Sequence, residues 1–296
     1  MSQIHGSHKR SPNMDYQELH VELEGINYFT LLELPDDGRA DAPVVLLVHA
    51  LMSNLHMWDS TVRALHEAGY RTLRYDHVGH HNTPPTHKPE TNFHMDDLTR
   101  HAHQIVKART GMTRVHAVIG CSIGGVLALR FAMMFPGDVE KIVSIAAPGI
   151  TSLEAAKPLW TARIKQFEED HRNGTDTLCH ATVNRWFPGN HPEDEHVKSE
   201  ALNHVKHCSF QGYKTLADTI RNYDYAEELS SIQDVQCLIV AGSEDGAVDS
   251  SLLEQISGKI LQAEFVNMQG AGHLPPMHKP KQFNELMLRF LKNGPA

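Results

Sequence analysis

Residues Ala117 to Pro136 read AVIGCSIGGVLALRFAMMFP, a run of apolar and small residues holding one serine, with glycine two positions before it and two after. Glycines beside a serine mark ordinary tight turns, and serine also caps helices, so the pattern alone decides little. The flanks narrow the choice. Val115 to Ile119 reads as a short buried strand that leaves no room for a loop before Gly120. From Ile123 onward, Val126, Leu127, Leu129, Phe131, Ala132 and Met133 keep a helical stripe, interrupted by Arg130 and stopped by Pro136. Strand, sharp turn and helix in that order is the setting in which a strained turn lifts a nucleophilic serine clear of a sheet. A side chain at Gly120 or Gly124 would collide with the neighbouring strand or helix. Ser122 is therefore the candidate nucleophile. Cys121 precedes the central position of the turn, so its side chain is expected to point elsewhere.

A serine hydroxyl attacks only when a base takes its proton, and the base needs an acid to fix its tautomer. The strand Cys237 to Val240 is followed by Ala241-Gly242-Ser243-Glu244-Asp245-Gly246, and the strand Ala263 to Met268 by Gly270-Ala271-Gly272-His273. Asp245 and His273 thus both fall just past the carboxyl ends of strands, where a solvated turn acid or a surface histidine would be the ordinary reading of each alone. The chain order Ser122, Asp245, His273 is the one this strand-turn-helix architecture uses. Glu244 is the reserve acid. An oxyanion needs two backbone N–H donors; Ile123, after the nucleophile, supplies one, and the loop His49-Ala50-Leu51-Met52 supplies the other, with Leu51 the expected donor. The loop from Asp76 to His80 lies at the same sheet edge and is given a structural role.

The chain of 296 residues suits one large α/β domain with an insertion. A formal charge of -9 with interspersed signs argues against nucleic acid as a partner. No apolar run approaches the ~18 residues of a membrane span, so no membrane partner is expected. The start, MSQIHGSHKRSPN, has basic residues without a hydrophobic stretch after them and reads as a disordered tail over 1–14, placing the protein in the cytosol. Cys121, Cys179, Cys208 and Cys237 are far apart and read as reduced, packed residues. Histidine is abundant at 22, in groups such as His77-Val78-Gly79-His80-His81 and His101-Ala102-His103, but there is no H-E-x-x-H and these spacings do not assemble a tetrahedron, so no metal site is predicted.

Along the chain, a hairpin over Glu18 to Leu34 turning at Glu24-Gly25 precedes the fully apolar strand Val44 to Val48. A helix over Leu55 to Ala68, the strand Arg71 to Tyr75, a polar loop over Asp76 to Asn92 and a helix to Arg109 follow, then the elbow and the strand Lys141 to Ala146. The alternation stops from Pro148 to Asp234, a stretch rich in charge and helical patterning. It resumes with Cys237 to Val240, the helix Ser250 to Ser257, the strand Ala263 to Met268 and an amphipathic helix over Pro280 to Leu291. The fold class is thus α/β, with a mostly parallel sheet flanked by helices. Residues 15–147 and 235–296 form its core and 148–234 an inserted helical cap.

The elbow GCSIGG, the acid loop AGSEDGAV, the phrase GAGHLPPMHKP around His273 and the cap phrases WTARIKQFEED, NRWFPG and QGYKTLADTIRNYDY resemble the α/β-hydrolase superfamily over nearly everything after the first fifteen residues. Within it the likeness is to 3-oxoadipate enol-lactonases and related lactone hydrolases. Two departures stand out: many members carry His-Gly where this chain has His49-Ala50, and His81 replaces a small residue after Gly79-His80. The resemblance implies hydrolysis of a carboxylic ester, foremost a small lactone, through an acyl-enzyme on Ser122, with no cofactor. Trp160, Arg163 and Trp186 are the cap residues expected to contact substrate, against the plainer reading of cap packing and surface charge. The phrase His49-Ala50-Leu51 also resembles homoserine O-acetyltransferases, which leaves acyl transfer to an alcohol as an alternative, and a ligand receptor that keeps the triad is another. A homo-oligomer is left open.

Overall fold

The computed structural model describes residues 16–86, 93–189, 191, 192 and 194–295. The tail expected over 1–14 and the end of the polar loop before Phe93 lie outside the described residues. Eight strands form one sheet among the described residues: β1 (Tyr16–Leu23), β2 (Ile26–Glu33), β3 (Val44–Val48), β4 (Arg71–Tyr75), β5 (Val115–Cys121), β6 (Val139–Ile145), β7 (Gln236–Gly242) and β8 (Ala263–Met268). Their spatial order is β1-β2-β4-β3-β5-β6-β7-β8, with β1 and β2 antiparallel and β3 to β8 all parallel.

Burial follows from composition. β3 is VVLLV and buried at every position, as a central parallel strand covered on both faces must be. β1, with charged residues at alternate positions, is the exposed edge, joined to β2 through Glu24 and Gly25 at φ 51° and 85°. Two positive-φ residues give the tight hairpin turn whose twist matches the strands. The strand order reverses between β3 and β5, which opens a crevice beyond their carboxyl ends. Ligands of open parallel sheets bind in such crevices.

Helices α1 (Asp59–Glu67), α2 (Met95–Thr110) and α3 (Ile123–Met134) belong to the first half of the sheet layer. The helix expected over Leu55 to Ala68 begins instead as a separate tight turn, Leu55–Trp58. The Asn54 side chain accepts from His56 N–H at 2.9 Å and Asp76 from Leu55 N–H at 2.9 Å, which fixes those first amides outside the helix. β5 runs two residues past Ile119, because pairing with β6 continues to Cys121 opposite Ile145. Arg130, the interruption in the apolar stripe of α3, is taken up by Asp96 at 2.8 Å and Glu228 at 2.5 Å.

Between β6 and β7 come four helices, α4 (Lys157–Asn173), α5 (Thr177–Trp186), α6 (Asp194–Lys206) and α7 (Phe210–Ile220). They occupy the stretch that the sequence leads one to expect as an inserted cap. Its two ends meet where Thr151 pairs with Asp224. The chain then returns to the sheet layer through α8 (Ser250–Ser257), the short α9 (Pro275–His278) and α10 (Pro280–Asn293). No helix among the described residues is long and apolar enough to cross a membrane.

Candidate active site

Ser122 joins β5 to α3 with φ 57° and ψ -118°, a backbone conformation that costs a non-glycine residue about 1–3 kcal/mol. The surroundings enforce it. Ser122 N–H donates to Ile145 O at 2.8 Å, and Ser122 O accepts from Gly125 N–H at 2.9 Å. A Cβ at Gly120 would stand 1.8 Å from Gly124 O, and one at Gly124 would stand 2.2 Å from Val48 O, so both glycines are steric requirements of the turn.

His273 follows β8 and Asp245 follows β7. Nε2 of His273 lies 3.0 Å from Ser122 Oγ, and its Nδ1 lies 2.8 Å from Asp245 Oδ2. The other oxygen of Asp245 accepts from the N–H groups of Ala247 at 2.7 Å and Val248 at 3.1 Å. With both oxygens occupied, Asp245 takes the proton-bearing Nδ1–H of His273 and leaves Nε2 free to accept from the serine. The three residues singled out in the sequence are therefore brought into one hydrogen-bonded chain. Glu244 turns its carboxylate toward Gly189. The Cys121 thiol is fully buried, 3.7 Å from His273 O, and burial pushes its pKa well above the ordinary thiol value. It lacks the thiolate that nucleophilic attack requires.

Ile123 opens α3, where an amide has no partner within the helix, and Leu51 lines the pocket with Ser122. No acceptor among the described residues takes either N–H. In the Leu51 loop the residue with positive φ is Met52, at 65°, and not Ala50, so alanine stands in place of glycine without strain. The loop is backed by buried histidines. His77 N–H donates to His49 Nε2 at 2.9 Å, and Met52 N–H donates to His80 Nε2 at 3.1 Å. His80 Nδ1–H donates to Val78 O at 2.9 Å. Burial brings His77 down to about 3 and His80 down to about 4, so both are neutral and hold backbone groups, the structural role expected of the Asp76 to His80 loop.

The helices between β6 and β7 bring three of the expected contacts to this edge. Trp186 stacks on His273 with ring centroids 6.3 Å apart, and its carbonyl accepts from His273 N–H at 2.8 Å. Trp160 and Arg163 also reach the pocket, with the Arg163 guanidinium 5.0 Å from the Trp160 ring centre. The cavity is narrow, ≈ 60 Å³. Its walls include Thr182, Arg185 and Tyr213, which the sequence reading missed. Arg185 could have been found, since it adjoins Trp186 in NRWFPG.

A hydroxyl poised on an imidazole that is itself held by a carboxylate can attack a carbonyl. Residues 43–183 match the family profile of the alpha/beta hydrolase fold. The protein has the α/β-hydrolase fold. Over 264 residues this α/β-hydrolase-fold chain is 25% identical to RutD of Escherichia coli O44:H18 (strain 042 / EAEC), named a carbamate hydrolase, covering 88% of this chain and 94% of that protein. The enol-lactonase from Burkholderia xenovorans LB400 superposes with a TM-score of 0.81 at 22% identity, covering 93% of this chain and 100% of the other. The esterase EaEST from Exiguobacterium antarcticum gives a TM-score of 0.79 at 18% identity, covering 94% and 100%. Hydrolysis is the chemistry that these comparisons support.

Proposed function

We propose that the protein is a serine hydrolase that cleaves a carboxylic ester, foremost a small lactone, through an acyl-enzyme on Ser122. The observation that carries this reading is the chain Ser122 Oγ, His273, Asp245 at 3.0 and 2.8 Å. Ser122 Oγ attacks the carbonyl carbon as its proton passes to His273 Nε2, and the oxyanion is held by the N–H groups of Ile123 and Leu51. Collapse breaks the bond to the leaving oxygen, which takes the proton from Nε2. In a lactone that alcohol stays tethered to the acyl group. Water then gives a proton to Nε2 and attacks the acyl carbon, and Ser122 leaves with the proton returned.

The cap over 148–234 closes the pocket, and Trp160, Arg163 and Trp186 face the substrate. The four free, buried cysteines suit a reducing compartment such as the cytosol. The phrase His49-Ala50-Leu51 favours a second reading, in which an alcohol replaces water at the acyl carbon.

A fluorophosphonate probe followed by peptide mapping tests the proposal. The adduct is expected on Ser122; no adduct, or one on Cys121, overturns it. A turnover screen over lactones, aryl esters and carbamates then ranks substrates, and excess homoserine shifts the product from acid to ester if the acceptor is an alcohol.

A further inference from the structure

His278, the last residue of α9, is buried and takes no part in the hydrogen-bonded chain from Ser122 to Asp245. Its Nδ1 accepts from Gly272 N–H at 2.8 Å, and its Nε2 lies 2.9 Å from Asp194 Oδ1. A backbone amide only donates, so Nδ1 carries no proton and Nε2–H donates to Asp194. This second Asp–His pair is the first one reversed. In His273 the carboxylate holds Nδ1 and Nε2 accepts, whereas in His278 the carboxylate holds Nε2 and Nδ1 accepts. What it accepts is the amide directly before His273.

Gly272 is the point of greatest freedom in that loop, since glycine has no Cβ to restrict its dihedrals. Both peptide planes that meet at its Cα are held. The plane before it is fixed by the donation to His278, and the plane after it by the donation of His273 N–H to Trp186 O at 2.8 Å. A Cβ on Gly272 would stand 2.1 Å from the same Trp186 oxygen, so the end of α5 also fills the space beside it. With the two planes fixed, the direction in which the His273 side chain leaves the main chain is fixed too. Asp194 opens α6 and Trp186 closes α5, so both holds end in the segment between β6 and β7.

The acid does more than a carbonyl would. His49 and His80 also accept a backbone N–H, from His77 and Met52, and in each the other ring nitrogen is set by a carbonyl, that of Ala50 or Val78. His278 has a carboxylate instead, 1% exposed, whose second oxygen has no partner among the described residues. Sheltering a charge in that way is costly. Burial works against the charge, but the hydrogen bond from His278 and nearby basic side chains leave the Asp194 pKa below the ordinary carboxylate value. An ionised carboxylate cannot donate, so it allows neutral His278 one tautomer only, the one with Nδ1 open to Gly272. The ring is braced edge-on against Phe187, with centroids 5.2 Å apart.

We propose that Asp194 and His278 are positioning residues for the general base: the pair fixes the Gly272 amide and thereby aims His273 at Ser122 Oγ. The consequence for rate rests on the acyl-enzyme reading of Ser122. The hold on the amide stands by itself.

The test compares the wild type with His278→Leu, His278→Gln and Asp194→Asn on p-nitrophenyl acetate. His278→Leu is expected to lower kcat roughly tenfold to a hundredfold with KM nearly unchanged, the range for reacting groups set slightly out of place. Glutamine can accept from Gly272 and donate to Asp194, so His278→Gln is expected to restore most of the rate. Asp194→Asn lets the ring take either tautomer and is expected to lower kcat in the same direction, which keeps the test open where the buried leucine prevents folding. An unchanged kcat in His278→Leu, or equal kcat in the leucine and glutamine variants, overturns the positioning role, and an unchanged kcat in Asp194→Asn overturns that of the acid. Amide hydrogen exchange read by NMR follows the hold without turnover. Gly272 N–H is expected to exchange roughly tenfold faster in His278→Leu while the amides of β8 keep their wild-type rates. Equal exchange at Gly272 in the two proteins, or faster exchange throughout β8 as well, overturns the hold. If the wild type does not cleave the ester and Ser122 takes no fluorophosphonate, the hydrolase reading falls while the exchange rates still decide the hold.

Discussion

The backbone N–H of Met52 donates to Nε2 of His80 at 3.1 Å, which holds Met52 in a left-handed conformation next to Leu51. The same loop is stitched to the cap: His81 N–H donates to His207 O at 2.9 Å and Ser209 N–H to Gly79 O at 2.8 Å. His80 thus sits between the cap and the residue proposed as the second oxyanion donor. His80→Leu removes the acceptor, leaves the Met52 N–H buried and unpaired, and frees Leu51 N–H to turn away. Since an oxyanion donor is worth about a hundredfold to a thousandfold in kcat, loosening one is expected to lower kcat roughly tenfold to a hundredfold with little change in KM. His80→Gln, which restores an acceptor, is expected to recover part of the loss. Steady-state kinetics on one ester check this, and a pure KM effect would count against it.

Ser122→Ala is expected to lower turnover on the order of a millionfold while leaving the melting temperature near that of the wild type, because the hydroxyl, the imidazole and the carboxylate act as a unit. Cys121→Ser leaves the attacking group in place and is expected to keep turnover. Its cost falls on stability, since the new hydroxyl replaces a thiol in a fully buried site. Parallel rate and melting measurements on the two variants separate these outcomes, and an exchange of the two results would move the nucleophile to Cys121.

The acid is tested in the same way. Asp245→Asn keeps the shape of the side chain but offers His273 an amide, which favours the wrong tautomer and is expected to cut turnover by about ten thousandfold. Glu244→Gln is expected to cost little, because that carboxylate lies beside Gly189 and not in the chain to Ser122. A severe loss confined to the Glu244 variant would shift the assignment by one residue.

What could be read from the sequence was read from local constraints. Gly120 announces the elbow through a clash four residues on, with Gly124 O, whereas the oxygen that leaves no room for a Cβ at Gly124 is that of Val48 on β3. Asp245 and His273 follow strands whose apolar runs are plain. Arg185 escaped although it adjoins Trp186 in NRWFPG, because it reaches the pocket only once α5 is laid over the edge that carries Ser122. Trp186 was expected at the substrate, and it does reach the pocket, but much of its contact is with His273, through the ring and the main chain. The histidines of the Asp76 to His80 loop meet the His49 loop only because β3 and β4 lie side by side and end at the same edge.

The buried histidines also set how stability responds to acid. Burial lowers His77 to about 3 and both His80 and His204 to about 4, against an ordinary value of 6.5. Above about pH 6.5 these groups are neutral in the folded and unfolded chains alike and give no slope. As pH falls below that, the unfolded chain gains protons that the folded chain refuses, so stability is lost by about 1.4 kcal/mol per pH unit for each group until its folded pKa is reached. His81 runs the other way. The Asp76 carboxylate raises its pKa, so its contribution is full in acid and is lost as pH rises through the raised value. Asp59, lowered to about 2 through His56 and Arg74, holds its contribution above the ordinary carboxylate range and loses it only below. Burial lowers His49, His66 and His101 as well, so six histidines against one predict a melting temperature that falls from pH 6.5 to pH 4.5. His204 lies in α6, with Nδ1 3.4 Å from Ser53 Oγ, so it can be replaced without touching Ser122, His273 or Asp245. His204→Gln is expected to flatten the profile by about one group's share, read as unfolding free energy from denaturant titrations at half-unit intervals of pH. A variant whose slope equals that of the wild type would mean that His204 takes up its proton in the folded chain.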